Sequence, residues 1–212
     1  MEMVNTLVVD KTGTLTEGKP SVTSVIPTQG FSEADLLTLA ASLERSSEHP
    51  LAAAILSAAS AANVAIEEPT EFVSITGKGV TGKVGGRAVA LGNAKLMADL
   101  GIALDDLQGN ADQLRSDGAT ALFAGVDGKP GGVIAIADPI KSTARAALDS
   151  LRAECIRIVM LTGDNKTTAQ AVGNKLGIED VEADVLPEGK SRFVQKLKTE
   201  GRIVAMAGDG VN

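Results

Sequence analysis

The stretch Thr6-Leu-Val-Val-Asp10-Lys-Thr-Gly-Thr-Leu-Thr16 decides how the rest of the chain is read. A short β-branched run stops abruptly at a carboxylate and gives way to a polar, glycine-containing segment. Such a run reads as a buried parallel strand that delivers Asp10 at its C-terminal end. The pattern recurs late in the chain. Arg157-Ile-Val-Met-Leu161 stops at Thr162-Gly163-Asp164, and Arg202-Ile-Val-Ala-Met206 runs into Gly208-Asp209-Gly210. Helical periodicity fills the intervals. Residues 141–153 place Ala144, Ala147, Leu148 and Leu151 on one face, while 165–176 and 189–200 end at Gly177 and Gly201. Strands alternating with helices of this length imply right-handed crossovers and a doubly wound parallel sheet of the α/β class.

The middle of the chain has another rhythm. Ser32-Glu-Ala-Asp35 has the form of a capping box, opening a helix with Leu36, Leu39, Ala40 and Leu43 on one side. Pro50 opens an alanine-rich helix running to about Asn63. Gly85-Gly86 and Asp127-Gly128 each separate two apolar, strand-like runs, which is a hairpin signal. Helices segregated from antiparallel hairpins predict an α+β domain inserted after the first strand. The expected boundaries are 1–26 and 138–212 for the two segments of the α/β domain and 27–137 for the insertion.

Composition narrows the function. With 212 residues, 44% of them hydrophobic, the chain can hold one large domain or two small ones. No apolar run approaches the ~20 residues that span a bilayer, and Met1-Glu2-Met3-Val4 lacks the basic and apolar regions of a signal peptide. A net charge of −7 argues against a nucleic-acid partner, and the absence of Trp and Tyr argues against base stacking. One Cys and one His exclude a disulfide framework and a Cys/His zinc site within the chain. The expectation is a soluble chain from a reducing compartment.

A carboxylate at a strand end, followed by a Gly-Thr turn, can meet a phosphoryl group cradled by backbone N–H donors, the arrangement that forms an aspartyl-phosphate. Asp10-Lys-Thr-Gly-Thr-Leu-Thr16 resembles the phosphorylation signature of the P-type cation-transporting ATPases. Thr162-Gly-Asp164, Lys190 and Gly208-Asp-Gly-Val-Asn212 resemble that family's remaining motifs, in the same order. Each residue type suits phosphoryl transfer, which depends on positioning and charge neutralisation. Asp209 offers a hard oxygen ligand suited to Mg²⁺, Lys190 a positive charge for the transferring oxygens, and Thr162 with the Gly163 amide hydrogen bonds to them. The resemblance further implies that the Thr12 carbonyl joins Asp10 and Asp209 at the metal, and that Asp164 lies beside the nucleotide or the reacting group.

Ser46-Ser-Glu-His-Pro-Leu51 resembles the hallmark of the heavy-metal (P1B) branch of that family. By that resemblance Glu48 and His49 contact ATP and Pro50 orients them. Gly77-Lys-Gly-Val-Thr-Gly82 matches the dinucleotide-binding pattern but runs into a hairpin instead of a helix. The resemblance gives it another use: Gly77 and Gly79 let the backbone approach adenosine and phosphates, with Gly92 and Asn93 completing the pocket. For Gly92 a plain turn remains the alternative. Gly189-Lys190-Ser191 mimics the end of a P-loop, but Asp184 stands where its first glycine belongs. Asp105-Asp106 reads as the acidic start of a helix, and Cys155 as an inert small hydrophobe. By the resemblance, Asp138-Pro139 would begin the return to the phosphorylation domain and help form the hinge.

The resemblance implies a haloacid-dehalogenase-like phosphorylation domain carrying an inserted nucleotide-binding domain. ATP and Mg²⁺ are the expected cofactors, and the parent's actuator domain and transmembrane helices the expected partners. The segment itself would be monomeric and face the cytosol, in a bacterial plasma-membrane pump. Copper(I) export is expected ahead of zinc or cadmium. The family signature continues past Asn212 with a further Asp, so ATP binding with slow hydrolysis, and no transport, is expected of this segment alone. Two alternatives stay open: a soluble phosphatase of the same fold, and a regulatory nucleotide-binding module. Such phosphatases usually carry a second Asp two residues after the nucleophile as general acid, where this chain has Thr12.

Overall fold

The computed structural model describes residues 4–47 and 49–209. Glu48 and the Gly210–Asn212 part of the last motif lie outside the described residues. The chain forms two compact units: Met1–Lys19 with Asp138–Asn212 and the short stretch Ser116–Gly118, and Pro20–Arg115 with Ala119–Ala137. Among the described residues no helix is long and apolar enough to cross a membrane.

Among the described residues the first unit is built on four parallel strands, β1 (Thr6–Asp10), β8 (Arg157–Leu161), β9 (Asp180–Glu182) and β10 (Val204–Ala207), in the order β10-β1-β8-β9. Alternate residues divide the strands between two cores, because side chains along a strand point to opposite faces. Val9, Ile158 and Met160 pack with α5 (Ala144–Ala153) and α6 (Lys166–Leu176) on one face. Val8, Val159 and Leu161 pack with Leu197 of α7 (Pro187–Thr199) on the other. The Asn165 side chain caps α6 by accepting from Thr168 N, and Gly177 closes it at φ +67. Helix α5 begins at Ala144, where its apolar stripe begins, three residues later than the expected range 141–153. Residues 140 and 141 are held extended instead: Ile140 bridges Thr16, and Lys141 N donates to Leu15 O. Cys155 departs from expectation too. It is exposed, at φ +60 just past the end of α5, so it contributes nothing to a core.

The second unit is a six-stranded antiparallel sheet. Its strands are β2 (Ser21–Pro27), β3 (Thr70–Ile75), β4 (Gly79–Val84), β5 (Arg87–Gly92), β6 (Thr120–Val126) and β7 (Lys129–Ala137), in the order β2-β7-β6-β5-β4-β3. Helices α1 (Glu33–Glu44) and α2 (Pro50–Ala61) cover one face through Leu36, Leu43 and Ile55 against Leu91, Ile134 and Ile136. Helices α3 (Ala94–Asp99) and α4 (Asp105–Ser116) cover the other through Leu96, Met97 and Leu107 against Ala90, Phe123 and Val133. The Ser32–Asp35 capping box forms as the spacing predicts. The first crossing between units falls at Lys19–Pro20, ahead of the expected 26/27, because β2 pairs antiparallel with β7 through Ser21↔Ala137 and Pro27↔Gly132 and so belongs to the inserted sheet. The return crossing falls at Ala137–Asp138.

Candidate active site

In the first unit the sheet's carboxyl edge collects the charged residues, as open parallel sheets do. Asp10 ends β1 in register with Leu161, so Thr162 and Asp164 emerge beside it. Val9 pairs with Ala207, so Asp209 follows on the other side. Asp10 is 5% exposed. Its Oδ1 accepts from Lys11 N at 2.9 Å and its Oδ2 from Lys190 Nζ at 2.8 Å. Lys190 reaches it from the first turn of α7, a link between residues at opposite ends of the chain.

A second buried ion pair joins Lys11 Nζ to Asp164 Oδ2 at 2.5 Å. Asp164 is held further by Thr162, whose hydroxyl accepts from Asp164 N and donates to Asp164 Oδ2, each at 3.1 Å. Thr162 is in turn pinned by its own backbone, N to Glu182 O and O from Val185 N, both 3.0 Å. Because a buried charge is tolerated only when paired, these bonds fix both carboxylates in place.

After Asp10 the chain makes one irregular turn, Lys11–Leu15, closed by Thr16 N donating to Lys11 O at 3.1 Å. Thr12 is extended and Gly13 sits at φ +75. A Cβ at Gly13 would stand 3.0 Å from Asp209 Oδ2, so the glycine gives the Asp209 carboxylate room beside the turn. Thr14 Oγ1 is buried without a hydrogen-bond partner. An orphaned hydroxyl in a turn flanked by carboxylates suits a bound polar group. Asp10, Asp209 and the Thr12 carbonyl are hard oxygen donors of the kind Mg²⁺ takes, one or two carboxylates with phosphate and water completing the shell. The donor set therefore fits magnesium.

In the second unit the residues singled out from the sequence fall into two places. Gly79 and Gly92 face each other in register across β4 and β5. A Cβ on Gly79 would lie 2.2 Å from Leu91 O, and one on Gly92 2.2 Å from Lys78 O, so only glycine fits either position. Asn93 ties the loop down. Its Nδ2 donates to Gly77 O at 2.8 Å, its backbone N donates to Lys78 O at 2.8 Å, and its Oδ1 caps α3 by accepting from Lys95 N and Leu96 N. Lys78 itself pairs with Asp99 at the far end of α3.

His49 stands at the head of α2, where its Nδ1 accepts from Leu51 N at 3.2 Å. That bond puts the proton of the neutral ring on Nε2, which is left as a donor. Surrounding protein lowers its pKa, although its surface remains exposed.

Three residues with functional geometry escaped the sequence reading. Lys11 and Thr14 lie inside the quoted motif, but nothing local says which way they point. Glu44 gave a usable signal: it falls on the apolar stripe of α1, seven residues after Leu37 and three after Ala41. It is 5% exposed, its Oε2 lacks a partner, and burial raises its pKa against the opposing Ser47 hydrogen bond. Leu43 beside it packs on Gly82 of β4, which brings the end of α1 onto the glycine-bearing hairpin.

The parallel sheet with its strand-end aspartate defines the class, and the pattern of one family runs along the whole of it: the chain belongs to the haloacid dehalogenase-like hydrolases, matched over residues 4–212. Within that class it is 52% identical, over 98% of its length, to a copper-transporting P-type ATPase of Rhizobium leguminosarum bv. viciae. It spans only 25% of that relative. Among solved structures it is similar to the catalytic domain of a CPx-ATPase, at 30% identity and a TM-score of 0.73, covering 98% of this chain and 72% of that one. It is also similar to a zinc-transporting PIB-type ATPase in the E2.Pi state, at 37% identity and a TM-score of 0.67, covering 98% of this chain and 33% of that one.

Proposed function

We propose that this chain is the ATP-binding, autophosphorylating cytosolic part of a heavy-metal-transporting P-type ATPase of a bacterial plasma membrane, and that the transported ion is copper(I). The observation that carries the catalytic reading is the partly buried Asp10–Lys190 pair beside Asp209 and the Gly13 turn. An Asp10 carboxylate oxygen attacks the γ-phosphorus of ATP. The new carboxyl O–P bond forms as the bond to the β,γ-bridging oxygen breaks, and ADP leaves with that electron pair. Lys190 and, once its proton turns from Asp164, the Thr162 hydroxyl offset the charge on the three spectator oxygens. Asp10, Asp209 and the Thr12 carbonyl would hold Mg²⁺, which neutralises phosphate charge when bound. Thr12 cannot protonate a leaving group or activate water, which favours a long-lived phosphoenzyme over rapid hydrolysis.

In the inserted unit the Gly77–Gly79 loop with Gly92 and Asn93, the His49 Nε2–H, and Glu48 form the nucleotide contacts. The buried Glu44 carboxylate adds an acceptor suited to an exocyclic amine. The parent's actuator domain and membrane helices complete the pump. The copper assignment draws on the 52% identical copper transporter. Zinc is the second reading, favoured by the 37% identical zinc-transporting structure. Incubation with γ-labelled ATP and Mg²⁺ is expected to leave acid-stable, hydroxylamine-labile label that Asp10→Asn abolishes. Equal labelling of that variant would overturn the mechanism. Stimulation of the intact pump's ATPase by Cu(I) but not Zn(II) checks the ion.

A further inference from the structure

Two side chains outside the reacting set grip Gly13 from either side of its Cα. The Gly13 N–H donates to Thr16 Oγ1 at 3.3 Å, and the Gly13 carbonyl accepts from Lys141 Nζ at 2.6 Å. These atoms belong to different peptide planes. The N–H shares its plane with the Thr12 carbonyl, and the Gly13 carbonyl shares its plane with the Thr14 N–H. In a planar trans peptide the C=O and N–H point in opposite directions. Holding the Gly13 N–H toward Thr16 therefore turns the Thr12 carbonyl the other way. Holding the Gly13 carbonyl toward Lys141 does the same for the Thr14 N–H.

Thr16 is itself fastened. Its hydroxyl donates to Asp138 Oδ2 at 2.6 Å, which leaves its lone pairs for Gly13. Asp138 also accepts from Gly18 N at 3.2 Å and Lys19 N at 3.0 Å, so one carboxylate binds both segments of chain that lead to and from the insertion. Gly13 has little room to drift, with Asp209 against it and a left-handed backbone.

We propose that Thr16 and Lys141 are positioning residues for phosphoryl transfer: Thr16, fastened by Asp138, aims the Thr12 carbonyl, and Lys141 aims the Thr14 amide, through the two peptide planes that meet at Gly13. The proposal rests on the phosphorylation reading above. It assigns no substrate contact to Thr16, Asp138 or Lys141.

The test compares Thr16→Val, Thr16→Ser, Lys141→Met and Lys141→Arg with the unaltered protein. Thr16→Val and Lys141→Met are expected to slow phosphoenzyme formation from Mg·ATP by about 10- to 100-fold, the cost of a small misplacement at a reacting centre. Thr16→Ser and Lys141→Arg, which keep the donor, should recover most of the rate. ATP affinity without Mg²⁺ should stay within about twofold, since the inserted unit is untouched. In metal-free, nucleotide-free protein, amide exchange at Gly13 should rise at least about tenfold in Thr16→Val while Val8 and Val9 stay protected. Unchanged phosphorylation rates, unchanged Gly13 exchange, or ATP affinity falling in step with rate would each overturn the proposal. If the unaltered protein takes no label, the phosphorylation reading fails instead, and the positioning role falls with it. The Gly13 exchange then still reports whether Thr16 holds the turn.

Discussion

The two units are built from different materials. At the edge of the parallel sheet the groups are charged side chains, Asp10 and Lys11 buried and Asp164 and Lys190 partly so, each held by a partner distant in sequence. In the antiparallel unit the shaping groups are mostly backbone: a glycine pair at closest approach, an asparagine that caps a helix while clamping a carbonyl, and a histidine spent partly on a cap. Phosphoryl transfer needs charge fixed at points in space, and strand ends supply fixed points. Holding a nucleotide needs close approach, and close approach needs missing side chains.

That contrast predicts that substitutions in the first unit strike chemistry and spare binding, while those in the second strike binding through the fold. The largest effect should be Lys190→Met, which removes the cation on Asp10. Phosphoenzyme formation should fall by about 10²–10³-fold with ATP affinity little changed, measured by labelling and by calorimetry. A parallel loss of affinity would erase the division of labour.

Gly79→Ala comes next. Its Cβ would meet backbone that cannot step aside, so a loss of about 3 kcal/mol in unfolding free energy and of nucleotide binding is expected. Gly77→Ala is the control. Nothing stands within 4 Å of its Cβ, and only the φ of +71 resists, so about 1–2 kcal/mol should be lost in denaturant titration.

Asn93 sharpens the comparison at a smaller scale. Asn93→Ala loses the α3 cap, about 1 kcal/mol, together with the clamp on Gly77. Asn93→Asp keeps the cap oxygen and loses only the clamp. Affinity should fall several-fold in both, and stability mainly in the first.

The smallest effect has a defined sign. Burial raises the Glu44 pKa above its ordinary value near 4.5, so the folded state holds that proton more tightly than the unfolded chain. Stability from this group is full below the unfolded pKa and is lost as pH rises through the folded one. Glu44→Gln should remove that slope and stabilise the inserted unit at neutral pH by about 1 kcal/mol, while weakening nucleotide binding. Thermal melts at pH 4 and pH 7 read the difference.

The same contrast explains what the sequence disclosed. The strand-end pattern around Asp10, Thr162 and Asp209 was legible because a buried parallel strand is a local apolar run and its end is a local event. The capping box, the two hairpins and the proline-opened helix were legible for the same reason. The first unit boundary was not. Ser21–Pro27 reads as a strand either way, and only its pairing with β7, more than a hundred residues on, assigns it to the insertion. Nor could spacing tell that Lys11 turns away from Asp10 toward Asp164, or that Asn93 spends both ends of its amide on backbone. Those are matters of rotamer and distant neighbour. Cys155 misled because it adjoins a buried strand, whereas its own backbone closes a helix at a left-handed position.

The placement of the two crossings bears on how such a chain assembles. Strand β1 must find β8 and β10, Thr6 meeting Arg157 and Val204, contacts that span most of the molecule. Closing so long a loop in an unfolded chain is slow and entropically expensive. But the inserted unit begins and ends at neighbouring rungs, Ser21 beside Ala137. Once it has folded, Lys19 and Asp138 are already delivered together, and the search left to β1 shortens to a modest excursion. An insertion that folds first would thereby act as a staple for its host, shortening the loop that β1 has to close.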